Sequence, residues 1–405
     1  MKIWDLIVVG GGAAGFFAAI NAKLLNPNLS VLILEQSKDV LHKVRISGGG
    51  RCNVTHNCLD PHDLTTYYPR GGKELLGPFH KFGSKQTIEW FQQQGIRLKT
   101  ESDGRMFPIT DNSETIIQCF QTLVKQLGIV VLIKTKTSNL VLSQDSFYRF
   151  EVVTNNEHYH AKNVLLASGS STYIWNKLAT LGYKIIEPVP SLFTFNLPTH
   201  PICKLMGLSV NNVRVSIKDS KISTEGPLLI THWGLSGPAI LKASAWGAIA
   251  LSNSGYRQVI QIDWTPDTDT QGISDKREEI GRKKVWSNPL FNIPTRLWQF
   301  LIGPVIIDKD KNWASLSKAE MNDIIQVLKK YEVQMTGKTT FKEEFVTAGG
   351  VDLSQIDFTT FESKLHPGLY MAGEVLNIDA VTGGFNFQAA WTGGFLVAKA
   401  VANKV

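Results

Sequence analysis

Three glycines near the start of the chain have the spacing of a phosphate-binding turn, Gly10-x-Gly12-x-x-Gly15. Gly10 permits a tight turn, Gly12 lets a pyrophosphate approach the backbone, and Gly15 allows a helix to pack closely on a strand. The first helical turn, with Ala13 and Ala14, offers N–H groups and the positive end of the helix dipole to the phosphates. The motif therefore predicts a dinucleotide-binding site.

The segments around this motif have the order that such a site requires. An apolar run, Ile3–Val9, predicts a buried parallel strand before the glycines, and a helical pattern follows them. A second apolar strand, Val31–Leu34, ends at Glu35 and Gln36, and Glu35 can accept hydrogen bonds from a ribose 2′-OH. An acid here would repel a 2′-phosphate, so FAD and NAD both fit the predicted site.

A second glycine-rich segment, between residues 47 and 53, combines backbone that can approach a ligand closely with polar side chains. Arg51 can pair with a phosphate, Lys43 adds positive charge upstream, and the N–H groups can line the edge of a flavin. A tight turn or a helix cap is the alternative interpretation. The candidate ligands of this segment are Lys43, Ser47, Gly48, Gly49, Gly50, Arg51, Cys52 and Asn53.

The C-terminal part of the chain holds a third group of candidates. An apolar strand ends at Gly373 and Glu374, and an acid there can bond the ribityl hydroxyls of a flavin. A glycine pair then opens the last helix, predicted over Ala389–Val401, whose N-terminus suits the flavin N1/O2 locus. An ordinary strand–helix packing unit is the alternative. The remaining candidates are Ser168 and Gly169, after another apolar strand, with Gly383, Gly384, Phe385, Asn386 and Gln388.

Two reactive side chains need separate interpretation. Cys52 and Cys58 have five residues between them, one more than in the redox disulfide of the glutathione-reductase class, which favours a packing cysteine over a redox pair. His232, followed by Trp233 in a glycine-rich loop, is the candidate for moving a proton. A purely structural histidine is the alternative there.

Composition limits the class of protein. The chain has 405 residues with 43% hydrophobic and 19% charged side chains, as in globular proteins, and no apolar run long enough to span a bilayer. Its first strand begins at once, leaving no room for a signal peptide, so we expect a cytoplasmic protein. The net charge of +7 is scattered and accompanies no nucleic-acid motif, and the Cys and His spacings complete no metal site. We therefore expect a small-molecule substrate, no nucleic acid, no membrane and no metal.

The chain is similar to the BaiN-like family of NAD(P)/FAD-dependent flavoproteins, which includes aminoacetone oxidase-like members, over nearly its whole length. Besides the glycine motifs, the resemblance rests on Tyr68-Pro69-Arg70, residues 104–108, Thr231–Pro238 and residues 347–351. It implies one non-covalent FAD. It also implies an α/β fold: a discontinuous Rossmann-like FAD-binding domain, an inserted β-barrel-like domain and a small helical part. His42, Arg45, Asn377 and Ala380 depart from the family pattern.

Pattern and resemblance together give the domains and the expected function. We predict an FAD-binding domain from residues 1–190 and 341–405, an inserted β-rich domain at 191–264 and a helical part at 265–340. We expect an FAD-dependent oxidoreductase that transfers a hydride between a small organic substrate, or NAD(P)H as transient donor, and the flavin. The alternative is a flavin-binding protein without turnover, such as a sensor or an RNA-associated module.

Overall fold

The chain folds into two compact units, and the first is built from both of its ends. The computed structural model describes residues 2–340 and 346–404. Residues 1–189 and 342–405 form the first unit, and residues 190–341 form the second. The predicted return to the first domain at residue 341 lies outside the described residues.

The first unit alternates strands and helices at its start, as parallel sheets require. Its strands are β1 (Ile3–Val9), β2 (Val31–Leu34), β3 (Thr55–His56), β4 (Leu98–Thr100), β5 (Arg105–Pro108), β6 (Val130–Leu132), β7 (Thr137–Leu142), β8 (Phe150–Thr154), β9 (His158–Leu166), β10 (Ile185–Ser191) and, after the second unit, β18 (Val346–Val351), β19 (Ile356–Asp357), β20 (Glu362–Ser363) and β21 (Leu369–Met371). Its helices are α1 (Ala13–Leu25), α2 (His42–Gly50), α3 (Pro61–Thr65), α4 (Gly72–Lys81), α5 (Ser84–Gln93), α6 (Glu114–Gln126), α7 (Thr172–Thr180) and α13 (Phe385–Ala402).

The main sheet of this unit brings three distant segments of the chain to one edge. Its order is β19-β20-β21-β9-β1-β2-β6, and the strands from β21 to β6 are parallel. Val9 and Met371 are both in register with Leu166. The chain that leaves β1, β9 and β21 therefore emerges at neighbouring positions, where doubly wound sheets bind their ligands.

The second unit is an antiparallel sheet covered by helices. Its elements are β11 (Thr194–Asn196), β12 (Ser209–Ile217), β13 (Ser223–Ile230), β14 (Gly234–Ser236), α8 (Pro238–Trp246), α9 (Ala248–Asn253), β15 (Gln258–Asp263), α10 (Thr270–Glu279), α11 (Thr295–Ile302), α12 (Lys318–Lys329), β16 (Tyr331–Met335) and β17 (Gly337–Thr339). The sheet order is β16-β15-β12-β13-β14-β11-β17. One apolar core joins the strands to α11 and α12, from Phe193 to Met335.

One predicted segment differs in the structure. The helical part predicted over residues 265–340 ends in two strands, β16 and β17, and β16 pairs with β15. Val333 and Met335 are buried and alternate with exposed Glu332 and Gln334, which is the two-residue period of a strand. Among the described residues, the helices are too short or too polar to cross a membrane.

Candidate functional site

The turn between β1 and α1 requires glycine at two positions and leaves open space at the third. Gly10 has φ +114°, and a Cβ there would lie 2.3 Å from the Ala167 carbonyl oxygen. A Cβ on Gly15 would lie 2.2 Å from the carbonyl oxygen of Gly10. A Cβ on Gly12, by contrast, would meet nothing within 4 Å, and its φ of −92° suits any residue. Gly10 and Gly15 are thus fixed by protein packing, whereas Gly12 faces free space.

The N-terminus of α1 is available to an anion. It has no side-chain cap and no acidic residue in its first turn, which contains Ala13 and Ala14. Glu35, at the end of β2, accepts hydrogen bonds from the N–H groups of Gly11 and Ser37, both at 2.7 Å. Glu35 therefore lies beside the glycine turn, as its spacing predicts, while the neighbouring Gln36 is exposed.

Residues from three parts of the chain meet near the ends of β9 and β21. Lys43 forms an ion pair with Glu374, whose side chain is 17% exposed. The Glu374 carboxylate lies 3.8 Å from where a Cβ on Gly169 would be. Gly373 packs beside Ala14: a Cβ on Gly373 would lie 3.4 Å from the Cβ of Ala14. The Oγ of Ser168 is buried and has no hydrogen-bond partner among the described residues.

The second glycine segment forms an unusual backbone turn at the end of α2. Gly48, Gly49 and Gly50 have φ of 58°, 69° and 83°, a left-handed run that favours glycine. A Cβ on Gly49 or Gly50 would meet nothing within 4 Å. Ser47 donates its hydroxyl to the Val44 carbonyl at 3.0 Å. Like Gly12, this segment presents bare backbone to open space.

Asn53 links the second glycine segment to the N-terminus of α13. In the amide orientation that gives both polar atoms of Asn53 a partner, its oxygen accepts from the Gly384 N–H at 3.0 Å and its nitrogen donates to the Thr55 carbonyl at 3.1 Å. Gly384, with φ 88°, is the N-cap of α13 and carries no side-chain cap. Gly383 precedes it with φ 143°. The N-terminus of α13, which is the positive end of its dipole, therefore begins at the glycine pair Gly383 and Gly384.

Two predicted cofactor ligands, Gln388 and Asn386, have side chains that are bonded within the protein. Gln388 is fully buried, accepting from the Thr55 hydroxyl at 2.6 Å and donating to Thr392 at 3.1 Å. The Asn386 amide bonds both the N–H and the carbonyl of Ala380, at 3.0 and 3.1 Å. Both side chains are engaged in positioning α13, because their polar atoms are already bonded within the protein. The buried Phe385 ring stacks on Tyr67 at 4.2 Å.

Sequence reasoning missed the groups that hold the chain in front of α13. Arg70 forms a bidentate ion pair with the fully buried Asp379. The Tyr68 hydroxyl donates to the Phe385 carbonyl at 2.6 Å. A Cβ on Gly71 would lie 2.6 Å from Ile378. The signal for this clamp was the Tyr68-Pro69-Arg70 block, but its partners lie some 300 residues away in the chain.

Three further candidates have different surroundings from those expected. Arg51 donates to the Glu101 carboxylate at 2.6 Å, so its charge is engaged within the protein. Cys52 is a buried free thiol, and its burial raises its pKa to about 12; Cys58 is also free. His232 is exposed on the turn between β13 and β14 in the second unit, edge-on to Trp233 at 4.4 Å. Its catalytic role stays a prediction.

The comparisons with known proteins decide the family. A family model described as the HI0933-like protein Rossmann domain matches residues 4–400. The chain belongs to the HI0933-like family. Two similar curated proteins are a ribosomal RNA dihydrouridine synthase of Haemophilus influenzae, 27% identical over 98% of both chains, and a 3-dehydro-bile acid delta(4,6)-reductase of Clostridium scindens, 25% identical over 98% of both.

Solved structures support the same fold at low sequence identity. The 3-ketosteroid-delta4-(5alpha)-dehydrogenase of Rhodococcus jostii aligns with 99% of this HI0933-like chain and 97% of its own, with TM-score 0.53 and 13% identity. The predicted fold class, the family resemblance and the assignment as an FAD-dependent oxidoreductase are confirmed. In the described part of the chain, no cluster of three His, Cys, Asp or Glu side chains could hold a metal.

The residues present fit the FAD that the family implies. Backbone at Gly12, Gly49 and Gly50 leaves the space that a Cβ would fill, and two helix N-termini carry no caps. The buried, unpaired Oγ of Ser168 is a polar atom that a ligand can satisfy. An acid beside the first turn and a Lys–Glu pair beside the last strand suit ribose hydroxyls and phosphates.

Replacing Gly12 by valine tests the phosphate site directly. Because the backbone at Gly12 is unstrained and its Cβ direction is empty, Gly12→Val is expected to fold with native far-ultraviolet circular dichroism. Its side chain would fill the space predicted for the pyrophosphate, so FAD affinity is expected to fall by more than about tenfold, or 1.4 kcal/mol. Flavin absorbance and FAD titration of the same sample give the answer.

Gly15→Val is the matched control, because its side chain meets the Gly10 carbonyl and the fold itself is expected to fail. A folded Gly12→Val protein with full, tightly bound FAD would contradict the assignment of this turn to the pyrophosphate.

The environment of Cys52 predicts a chemically inert thiol. A thiol whose pKa is about 12 is almost entirely protonated at pH 8 and therefore a poor nucleophile. We expect iodoacetamide at pH 8 to leave Cys52 unmodified in the native protein and to modify it in urea, as read by peptide mass spectrometry. In the Cys52→Ala/Cys58→Ala variant, bound FAD is expected to be reduced by NAD(P)H as in the wild type. Loss of that reduction, with FAD still bound, would restore the disulfide-reductase interpretation.

Proposed function

We propose that this protein is an FAD-dependent reductase that saturates a carbon–carbon double bond conjugated to a carbonyl group, using NAD(P)H as electron donor. The observation that supports the proposal is the open glycine backbone and the polar contacts of residues 10–15, 47–53 and 373–384, which together would form a cradle for FAD. The curated relatives named as a dihydrouridine synthase and a delta(4,6)-reductase are both, by name, enzymes that reduce a double bond. A hydride and a proton are added to the substrate, and NAD(P)⁺ is released.

The chain's own residues divide this work by position. Bound FAD supplies hydride transfer between donor and substrate. Gly12 and the first turn of α1 hold its pyrophosphate, and Glu35 accepts from the adenosine ribose hydroxyls. Glu374, next to Gly169, accepts from the ribityl chain. The uncapped N-terminus of α13 would stabilise negative charge on the flavin ring. His232 stays the predicted candidate for moving a proton.

The second candidate substrate is a uridine in ribosomal RNA rather than a small enone. Two curated relatives, from Haemophilus influenzae and Escherichia coli, carry the name ribosomal RNA dihydrouridine synthase. The second unit has 18 Lys and Arg against 13 Asp and Glu, most of the net charge of +7. Positive charge favours a polyanion through counterion release. This candidate departs from the expectation that no nucleic acid is bound.

Anaerobic rapid mixing tests the reaction and separates the two substrates. Holoprotein mixed with NADPH or NADH is expected to lose its visible flavin absorbance. The reduced protein is then mixed with a 3-oxo-4-ene steroid, with a ribosomal RNA transcript, or with buffer. Return of the absorbance and a product heavier by two hydrogens identify the substrate class. Gly12→Val, which is expected to bind FAD more weakly, is the control with a lower FAD content. Failure of both substrates to reoxidise the reduced flavin would contradict the proposed reaction.

A further inference from the structure

The left-handed turn at residues 48–50 cannot be held by its own residues. Glycine loses more backbone entropy on ordering than any other residue, and three glycines in sequence are ordered here with positive φ. A Cβ on Gly49 or Gly50 would face open space, so the surrounding side chains do not confine these two positions. The restraint must therefore come from the backbone carbonyls and from the residues that bracket the turn.

Protein donors hold the carbonyl oxygens of this turn. The Ser47 oxygen accepts from the Cys52 N–H at 3.0 Å, and the Gly50 oxygen accepts from the Ser113 N–H at 2.8 Å. The Gly48 oxygen accepts from Nε of Arg51 at 3.3 Å. The bonded carbonyls tie the turn to the protein, and the Cβ directions of Gly49 and Gly50 remain open. Arg51 is the one side chain among these donors.

The guanidinium of Arg51 is itself fixed by the β4–β5 hairpin. It lies 4.0 Å above the Phe107 ring and donates to Glu101 at 2.6 Å, with Asp111 at 3.6 Å. Phe107 also limits Gly48, where a Cβ would come within 2.8 Å of the ring. The side chains of Arg51 and Glu101 are 32% and 26% exposed, so the pair is partly shielded from water. One hairpin thus orders the turn through both a ring and a carboxylate.

We propose that Arg51 is a positioning residue, which through Glu101 and Phe107 pre-organises the glycine turn for FAD, rather than a ligand of the FAD phosphates. This inference rests on the FAD site of the proposed function and concerns binding alone. If only a fraction of the apoprotein holds the turn in its binding conformation, the apparent FAD affinity falls by that fraction. A residue that never touches FAD then controls how fast and how tightly FAD binds.

A double-mutant cycle between Arg51 and Glu101 separates positioning from phosphate contact. Apoproteins of wild type, Arg51→Lys, Glu101→Gln and the double variant are titrated with FAD by flavin fluorescence, and association rates are measured. Positioning predicts that each single change weakens FAD binding by about tenfold to a hundredfold, the range for a lost charged hydrogen bond. It also predicts that FAD associates more slowly with each single variant. The double variant should bind FAD no more weakly than the single variant with the lower affinity.

Lysine is informative because it keeps the charge but cannot bond Gly48, Glu101 and Phe107 together. A phosphate ligand predicts the opposite pattern: Arg51→Lys retains most of the affinity, and Glu101→Gln, which frees the guanidinium, binds FAD as well as wild type or better. That pattern overturns the inference. Asp103→Asn is the matched control: Asp103 lies on the same hairpin and pairs with Arg105 at 2.7 Å, not with Arg51. Arg105 also donates to Glu101 at 3.1 Å, and this variant keeps both Arg105 and Glu101, so wild-type affinity is expected.

The folded state of each apoprotein is checked by circular dichroism and thermal unfolding. Should Glu101→Gln fail to fold, Glu101→Asp keeps the charge and shortens its reach, and weaker FAD binding is again expected; unchanged affinity overturns the inference. A wild-type protein that binds FAD but reduces no double bond contradicts the proposed function while leaving this test decisive.

Discussion

Direct packing of α1 on α13 is the interaction on which the proposed FAD site depends. The two helices come from opposite ends of the chain, and a Cβ on Gly394 would lie 2.8 Å from the Ala14 carbonyl oxygen. Phe17 of α1 meets Trp391 of α13 with 5.2 Å between ring centroids. This contact holds α1 against the middle of α13, and the Ala14 side chain at the start of α1 lies beside Gly373. Any change that separates the helices dismantles both halves of the cradle at once.

Two further constraints shape this site: the register of the main sheet, and the side-chain contacts that fix the chain before α13. Strands β1, β9 and β21 end side by side, so their following residues share one edge. Arg70 with Asp379, and Asn53 with Gly384, then fix the chain that leads into α13. These contacts hold the glycine backbone in place, although the glycines have no side chains with which to hold themselves. Rigid surroundings and bare backbone together make a site that binds through N–H groups and helix dipoles.

Local patterns predicted the β1–α1–β2 unit well, because apolar runs and glycine spacing depend on nearby residues only. The start of α13 at Phe385, four residues before the predicted Ala389, follows from the left-handed Gly384 cap, which an apolar pattern does not reveal. The pairing of Arg51 with Glu101 could not be predicted, because Glu101 lies fifty residues away in the chain. The burial of Gln388 could not be predicted either, because polarity does not show whether a side chain faces a ligand or a buried threonine.

The most direct test of the account is the FAD content of the purified wild-type protein. Because the two ends of one chain build one cradle, we expect one FAD per chain, measured as released flavin against protein concentration after denaturation. Reconstitution of apoprotein should saturate at the same ratio, with a yellow product. A colourless protein that takes up no FAD on reconstitution would contradict the claim that the N-terminal glycine turn and the start of α13 form a flavin site.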